Sequence, residues 1–279
     1  MTENTQNMTV VVTGASGRTG SRVAQAARGA GLTVRAASRA RGFDWEDRST
    51  WADVLRGADA AYLVYPSDVG APGAADAVGR LANEAVALGV RRLVLLSARG
   101  AEQARPTEEA LRESGADWTV VRASWFAQNF SEGPLVEELR LGGELVFPAG
   151  DGVREPFVDV RDIADVVVAA LTSGDRYVGQ AIDVSGARLL TFEEAVAEVG
   201  AAAGRAFTYR AVSAREYGAH LAGFGLPEQE VGFLVELFES LLDGRNAHLS
   251  DGVRRVLGRE PRDFGDFARE AAAAGVWKG

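Results

Sequence analysis

A cluster of small and hydroxyl-bearing residues suited to holding an anion comes early in the chain. Thr13-Gly14-Ala15-Ser16-Gly17-Arg18-Thr19-Gly20 places glycines at three positions of one short turn. In such a turn Gly14 lets the chain leave a strand sharply, and Gly17 lets backbone N–H groups approach a pyrophosphate. Gly20 lets the following helix pack close to a sheet. The free N–H groups and positive dipole end of that helix then face the anion, with the Ser16 and Thr19 hydroxyls beside them. A glycine turn alone also suits a plain structural bend, so its flanks decide. Thr9-Val10-Val11-Val12 before it is a short β-branched run, Ser21 to about Ala30 after it is helical in pattern, and Leu32 to Ala37 is a second strand. In that βαβ frame the turn reads as a dinucleotide site.

The end of the second strand selects the dinucleotide. An acidic residue there would take the ribose 2′-OH of NAD, but this chain has Ser38-Arg39 and then Arg41. A guanidinium pairs with a 2′-phosphate, and Arg18 could reach the same group, so NADP(H) is favoured and NAD(H) is the alternative. Solvated surface arginines are the competing explanation. Asp44 and Trp45 are candidates for the adenine edge and face. Val64, Tyr65 and Pro66, at the end of a later strand, should lie over the cofactor, as should Ser97, because ligands in open α/β sheets sit beyond the carboxyl ends of strands.

The elements that must position these groups alternate. Phe43-Asp44-Trp45 suggests a very short third strand, Thr50–Arg56 a helix, and 58–66 a fourth strand. Ala71–Leu88 reads as a helix, Arg92–Ser97 as a strand, Pro106–Glu113 as a helix and Trp118–Arg122 as a sixth strand. The pattern predicts an α/β protein with a doubly wound parallel sheet of Rossmann type over 8–150, and a smaller C-terminal α+β lobe over 151–279 whose strands return in part to the main sheet. A helix is expected over Phe126–Leu141, interrupted at Pro134, and another over Arg161–Leu171. A strand follows at Gln180–Val184, then a capping-box helix start at Thr191–Glu194, a strand at Phe207–Arg210, and helices near 213–222, 228–242, 251–257 and 263–275.

Composition narrows the function classes. The 279 residues are 47% hydrophobic, enough for a substantial core, and carry a net charge of −9, which removes a basic nucleic-acid footprint. No apolar run approaches a membrane span, and Met1–Asn7 resembles a loose polar tail more than a secretory signal, so the cytoplasm is the expected location. There are no cysteines, and among thirty basic residues only Lys278 is a lysine. His220 and His248 lack metal-ligand spacing, so no metal is expected.

With these motifs in hand, the chain resembles the NmrA-like group of atypical short-chain dehydrogenase/reductases across nearly its whole length. The glycine turn, Ser38-Arg39, and Ser114-Gly115-Ala116-Asp117-Trp118-Thr119-Val120-Val121-Arg122 leading to Phe126 and Asn129 carry the likeness. So do Pro156-Phe157-Val158-Asp159-Val160-Arg161-Asp162-Ile163-Ala164 and Leu257-Gly258-Arg259-Glu260-Pro261-Arg262-Asp263-Phe264. The resemblance implies a Rossmann domain that binds NAD(P), with a substrate cleft against the small lobe. It also implies substrate and nicotinamide contacts after the sixth strand, where Trp125, Phe126, Asn129 and Phe130 stand. Phe147, His220 and Phe224 are further substrate candidates from the C-terminal lobe.

One departure matters for mechanism. Typical short-chain dehydrogenases pair a Tyr with a Lys four residues on, which lowers the phenol pKa for proton transfer. No Tyr here has such a partner, and where some relatives place Lys or His this chain has Ala104-Arg105-Pro106. Arginine stays protonated and cannot shuttle. Ser97 and Tyr65 remain as the hydroxyls best placed to orient a substrate. Three readings follow: an NAD(P)H-dependent oxidoreductase of a flat aromatic, quinone-like or polyketide-type molecule; a monooxygenase-type tailoring enzyme on the same fold; and a non-catalytic NADP(H) redox sensor. A small molecule is the expected partner, with the chain a monomer or homodimer.

Overall fold

A computed structural model describes residues 8–66 and 68–278; the expected tail at Met1–Asn7 lies outside them. The first half runs β1 (Thr9–Thr13), α1 (Arg18–Gly29), β2 (Thr33–Ala37), α2 (Trp51–Leu55), β3 (Ala60–Leu63), α3 (Ala74–Ala87), β4 (Arg92–Ala98), α4 (Arg105–Glu113) and β5 (Asp117–Ala123). Then come α5 (Pro134–Glu137), β6 (Glu144–Phe147), β7 (Arg154–Glu155), α6 (Val160–Thr172), β8 (Gln180–Val184) and β9 (Leu190–Thr191). The chain ends with α7 (Phe192–Ala203), β10 (Thr208–Ala211), α8 (Ala214–Gly223), α9 (Glu228–Leu241), α10 (Gly252–Leu257) and α11 (Phe264–Ala273).

The main sheet has the order β2-β1-β3-β4-β5-β8, with every pair parallel. Parallel strands joined by helical crossovers are covered on both faces, which explains the unbroken apolar runs. Val10 to Val12, Ala60 to Leu63 and Leu93 to Leu95 are fully buried. On one face Val23 and Ala27 of α1 meet Ile163 and Val167 of α6; on the other Leu81 and Ala85 of α3 meet Leu111 of α4. The chain steps outward from β1 to β2 and then returns to β3 on the opposite side. That reversal opens a crevice beyond the carboxyl ends of β1 and β3.

A second core lies beyond the sheet. β6 pairs in parallel with β10, and β7 pairs antiparallel with β9. Phe130, Phe147, Phe157, Phe192, Phe264 and Trp277 are buried together there. The Trp277 indole N–H donates to the Phe130 carbonyl at 2.8 Å, satisfying its one donor in that apolar setting. The chain passes between the two cores more than once, since α6 and β8 belong to the main sheet while β6 and β10 do not.

Two expected elements differ. Phe43–Trp45 is not a strand. Its Asp44 carbonyl accepts from the Trp51 indole at 2.7 Å and from the Thr50 hydroxyl at 3.2 Å, so those groups stitch a loop instead of a ladder. The helix over 126–141 is also broken. Phe126 bridges Val158, with Ala127 N–H donating to the Val158 carbonyl at 2.9 Å and Val158 N–H to the Trp125 carbonyl at 2.8 Å. That backbone is therefore strand-like where the helix should begin. A 3₁₀ turn at Ala127–Phe130 follows, and Gly133 at φ 90° separates it from α5 and a π-helical turn over Glu138–Gly142. The capping box at Thr191 and Glu194 forms as expected.

Candidate active site

The glycine turn closes in the way its residues allow. Gly14 has φ 59°, a conformation that L side chains rarely adopt, and a Cβ on Gly20 would lie 2.2 Å from the Gly14 carbonyl oxygen. Gly17 N–H donates to the Gly14 carbonyl at 2.8 Å. The turn is pinned to the sheet by Thr13, whose hydroxyl bridges β3 by accepting from Val64 N–H at 2.8 Å. Helix α1 starts at Arg18 with no side-chain cap and no acidic residue in its first turn. Its leading N–H groups are thus free for an anion.

These groups open into a cleft of about 1000 Å³. Gly14, Ser16, Gly17, Arg18 and Thr19 line one end, with Ser38, Arg39, Asp44 and Trp45 next to them. Val64, Tyr65 and Pro66 continue the wall. Gly20 is buried beneath the turn and shapes it from below. The Trp45 indole N–H is buried in this wall without a hydrogen-bond partner among the described residues. The Arg39 side chain is exposed and makes no hydrogen bond or ion pair among them, so its charge is available to a phosphate. An uncapped helix start, a cradle that side chains would fill, an orphaned donor and an unpaired guanidinium along one cleft fit a dinucleotide.

Arg18 is placed differently from the expectation that it joins Arg39. Its guanidinium donates to the Asn129 side-chain carbonyl and to the Glu132 backbone carbonyl at 3.0 Å, while Arg22 pairs with the Glu132 carboxylate. Asn129 is left with its amide N–H groups for a ligand. Burial lowers the Arg18 pKa, with Glu132 acting in the opposite direction and Arg22 in the same one.

The two hydroxyls singled out from sequence part company. Both line the cleft. Ser97 is buried, and its hydroxyl donates to the Glu108 carboxylate at 2.7 Å. Glu108, 2% exposed, also receives Arg122 Nε at 2.9 Å and Nη2 at 2.6 Å, and Arg112 at 2.9 Å. Burial alone would raise the Glu108 pKa, but hydrogen bonds from Arg122 and Ser97, together with the Arg122 and Arg112 charges, outweigh it and hold the carboxyl below its usual range. Such an anchored carboxylate is a poor base, and the Ser97 proton is engaged in the bond to it. The Tyr65 ring stands edge-on to Trp45 at 5.3 Å, and its hydroxyl makes no hydrogen bond among the described residues.

Beyond Tyr65 the cleft becomes aromatic. Trp125 and Phe126 both line it. Trp125 packs edge-on to Phe147 at 5.5 Å and tilted to Phe238 at 5.8 Å. Phe147 and Phe130 themselves sit in the second core, 2% and 0% exposed, and do not reach the cleft. His220 of α8 and Phe224, the residue that follows the helix, pair edge to face at 4.9 Å away from it, and Phe224 is exposed. Sequence reasoning missed the opposite wall, formed by Leu237, Phe238 and Leu241 of α9 with Asn246 beyond it. It also missed Arg99, just past β4. Only Arg99 had a readable signal, a charge beyond the carboxyl end of a buried strand.

Among the described residues no group of His, Cys, Asp or Glu is placed to hold a metal, and no helix is long and apolar enough to cross a membrane.

Comparison with known proteins agrees with this geometry. The model described as the NmrA-like family matches residues 41–257. The uncharacterized oxidoreductase YesF of Bacillus subtilis (strain 168) is 32% identical over 280 residues, covering 96% of each chain. The NAD(P)H azoreductase of Xenophilus azovorans is 31% identical over 261 residues, covering 90% of this chain and 88% of its own. The NADPH-dependent quinone oxidoreductase QOR2 of Escherichia coli, solved with NADPH, shares the fold with a TM-score of 0.75 at 22% identity, over 94% of this chain and 99% of that one.

Proposed function

The chain belongs to the NmrA-like family, and from that premise we propose that it is an NAD(P)H-dependent oxidoreductase reducing a flat aromatic or quinone-like small molecule. The observation that carries this reading is the continuity of one cleft, from the uncapped helix start at Arg18 to the aromatic walls at Trp125 and Phe238. The name of one similar protein, an NAD(P)H azoreductase, supports reduction over oxygenation.

The turn at Gly14–Gly20 would hold the diphosphate, Arg39 and Ser38 the ribose end, Asp44 and Trp45 the adenine, and Val64–Pro66 the nicotinamide side. When bound, the reduced nucleotide supplies a hydride with its two electrons to the acceptor and is left oxidised. The protein's share is positional. Trp125 and Phe238, packed against each other, form an aromatic wall that a planar ring lies on and that excludes water, Tyr65 offers a free hydroxyl, and Asn129 offers N–H donors. Ser97 keeps the end of β4 fixed through Glu108. No Tyr–Lys relay is needed where the acceptor's oxygen or nitrogen takes its proton from water. The available charge at Arg39 favours NADPH over NADH.

The test is steady oxidation of NADPH and of NADH with a panel of quinones and azo dyes. Turnover with several planar acceptors supports the reading. Tight nucleotide binding with no turnover on any of them removes it and leaves a sensor. A product one oxygen heavier, formed only in air, moves the chain to the oxygenase class.

A further inference from the structure

At the inner end of the cleft the reductase mechanism leaves a polar cluster unused. Arg99 follows β4 and is only 4% exposed, yet it lines the cavity. Its Nη1 donates to the His248 carbonyl at 2.9 Å and its Nη2 to the Asn246 carbonyl at 2.7 Å. Its Nε is buried with no partner among the described residues. Asn246, 3% exposed, lines the same end, and its side-chain amide makes no hydrogen bond among them. Glu155 on β7, near enough to act on the Arg99 charge, is fully buried, with neither carboxyl oxygen hydrogen-bonded among the described residues.

We propose that Arg99 and Asn246 form an oxyanion subsite that receives an aromatic acceptor by an oxygen bearing or developing negative charge. This deepens the reductase reading and rests on it.

An orphaned buried donor costs about 1–3 kcal/mol unless something accepts from it, and an oxygen entering the cleft is such an acceptor. The guanidinium is held by two backbone carbonyls, so it is oriented before any ligand arrives and loses little freedom on binding. Those carbonyls are neutral, so the cation is not cancelled by its own anchors. Arg99 still carries its proton, although burial lowers its pKa against the pull of Glu155 and Asp183.

Glu155 determines how much of that charge the cleft sees. Burial pushes its pKa up to about 8, with Arg99 opposing and Asp243 adding to the rise. The facing charges are Arg99 after β4 and Asp243 after α9, which is itself paired with Arg245 at 2.7 Å; Asp183 of β8 acts on Arg99 as well. Arg154, its neighbour in β7, is occupied with Glu194 at 3.5 Å. Near neutral pH Glu155 is therefore uncharged and Arg99 attracts an anion; above about pH 8 the new carboxylate offsets it.

The test titrates 4-nitrobenzoate into the full chain without nucleotide, by calorimetry, with its methyl ester as the uncharged control. The wild type is expected to bind the anion at about pH 7 and to lose about tenfold by about pH 9, while the ester shows no such change. Arg99→Gln should weaken the anion by about ten- to a hundredfold, and Asn246→Ala by about threefold to tenfold. Glu155→Gln should bind equally at both pH values. Asn246→Ala leaves the backbone carbonyl that Arg99 uses in place, so it decides the matter even if Arg99→Gln does not fold.

No binding by the wild type at millimolar concentration overturns the subsite, as does a folded variant at either position that binds as tightly as the wild type. A pH decline that persists in Glu155→Gln overturns the charge control. Quinone turnover alongside unaltered anion binding in Arg99→Gln removes the subsite alone. Arg99-dependent binding without turnover of any acceptor removes the reductase reading alone.

Discussion

Adding one methyl group at Gly20 tests the nucleotide-binding turn more sharply than any charge change. A Cβ there would lie 2.2 Å from the Gly14 carbonyl oxygen, 2.6 Å from its carbon and 2.9 Å from the Thr13 carbonyl oxygen. Ordinary contact begins near 3.4 Å, so the shortfall is about 1 Å. The opposing atoms are backbone and cannot rotate away. The start of α1 must therefore lift from the strand by about that distance, at a cost of about 1–3 kcal/mol in stability. The same lift moves the first N–H groups of α1 off the diphosphate. Each charge-assisted bond lost is worth about 1.5–3 kcal/mol, so NADPH affinity should fall tenfold or more. Gly29, at the other end of the helix, supplies the control. A Cβ there meets nothing within 4 Å, so Gly29→Ala should stabilise the chain by about 0.5–1 kcal/mol through a less flexible unfolded state. Thermal melts with and without NADPH, and calorimetric titration, read both. Wild-type stability and nucleotide affinity in Gly20→Ala would refute the reasoning.

Arg39→Ala should weaken NADPH by about tenfold or more and leave NADH nearly unchanged, since the free guanidinium is assigned to the 2′-phosphate; equal losses for the two nucleotides, by titration, would remove that assignment. Ser97→Ala should lower stability by about 1–3 kcal/mol by withdrawing a donor from buried Glu108, with kcat changed only a few-fold; a loss of kcat by orders of magnitude in a folded variant would give Ser97 a chemical role after all. For Glu108 the folded pKa lies below the usual value, so the unfolded chain takes up its proton first as pH falls. The stability it contributes is full above about pH 4.5 and is lost as pH drops through the lower folded value. Glu108→Gln should flatten that acid loss and cost about 3 kcal/mol near neutral pH by leaving Arg122 poorly paired, as melts across pH would show.

What could be read from the chain beforehand follows the range of each interaction. The βαβ unit was legible because its glycines, its helix and its two strands are neighbours, and the demands on Gly14 and Gly20 are local. The same holds for the capping box at Thr191 and Glu194. The segment after Arg122 misled because its aromatic pattern suits a helix, whereas Val158, some thirty residues on, claims the backbone at Trp125 and Ala127 for a bridge. The far wall of the cleft was hidden for a related reason. Leu237, Phe238, Leu241 and Asn246 share the cleft with Arg99, more than a hundred residues earlier, only because the later part of the chain folds back across the ends of the strands. Phe130 and Phe147 were read as pocket residues since an aromatic side chain does not announce which core it serves; both belong to the second one.

The clasp of Arg18 and Arg22 on the segment after β5 gives the crevice a stiff jamb and a yielding one. Asn129 and Glu132 are held there by guanidinium contacts, each worth about 1.5–3 kcal/mol where partly sheltered. The opposite wall, α9, is fastened to the sheet side among the described residues by a single neutral hydrogen bond, from Gln103 to Ser240 at 3.2 Å, plus its apolar face. A guest wider than the resting gap therefore displaces the helix and not the arginine side, so tolerance for bulk is governed by residues 237–241.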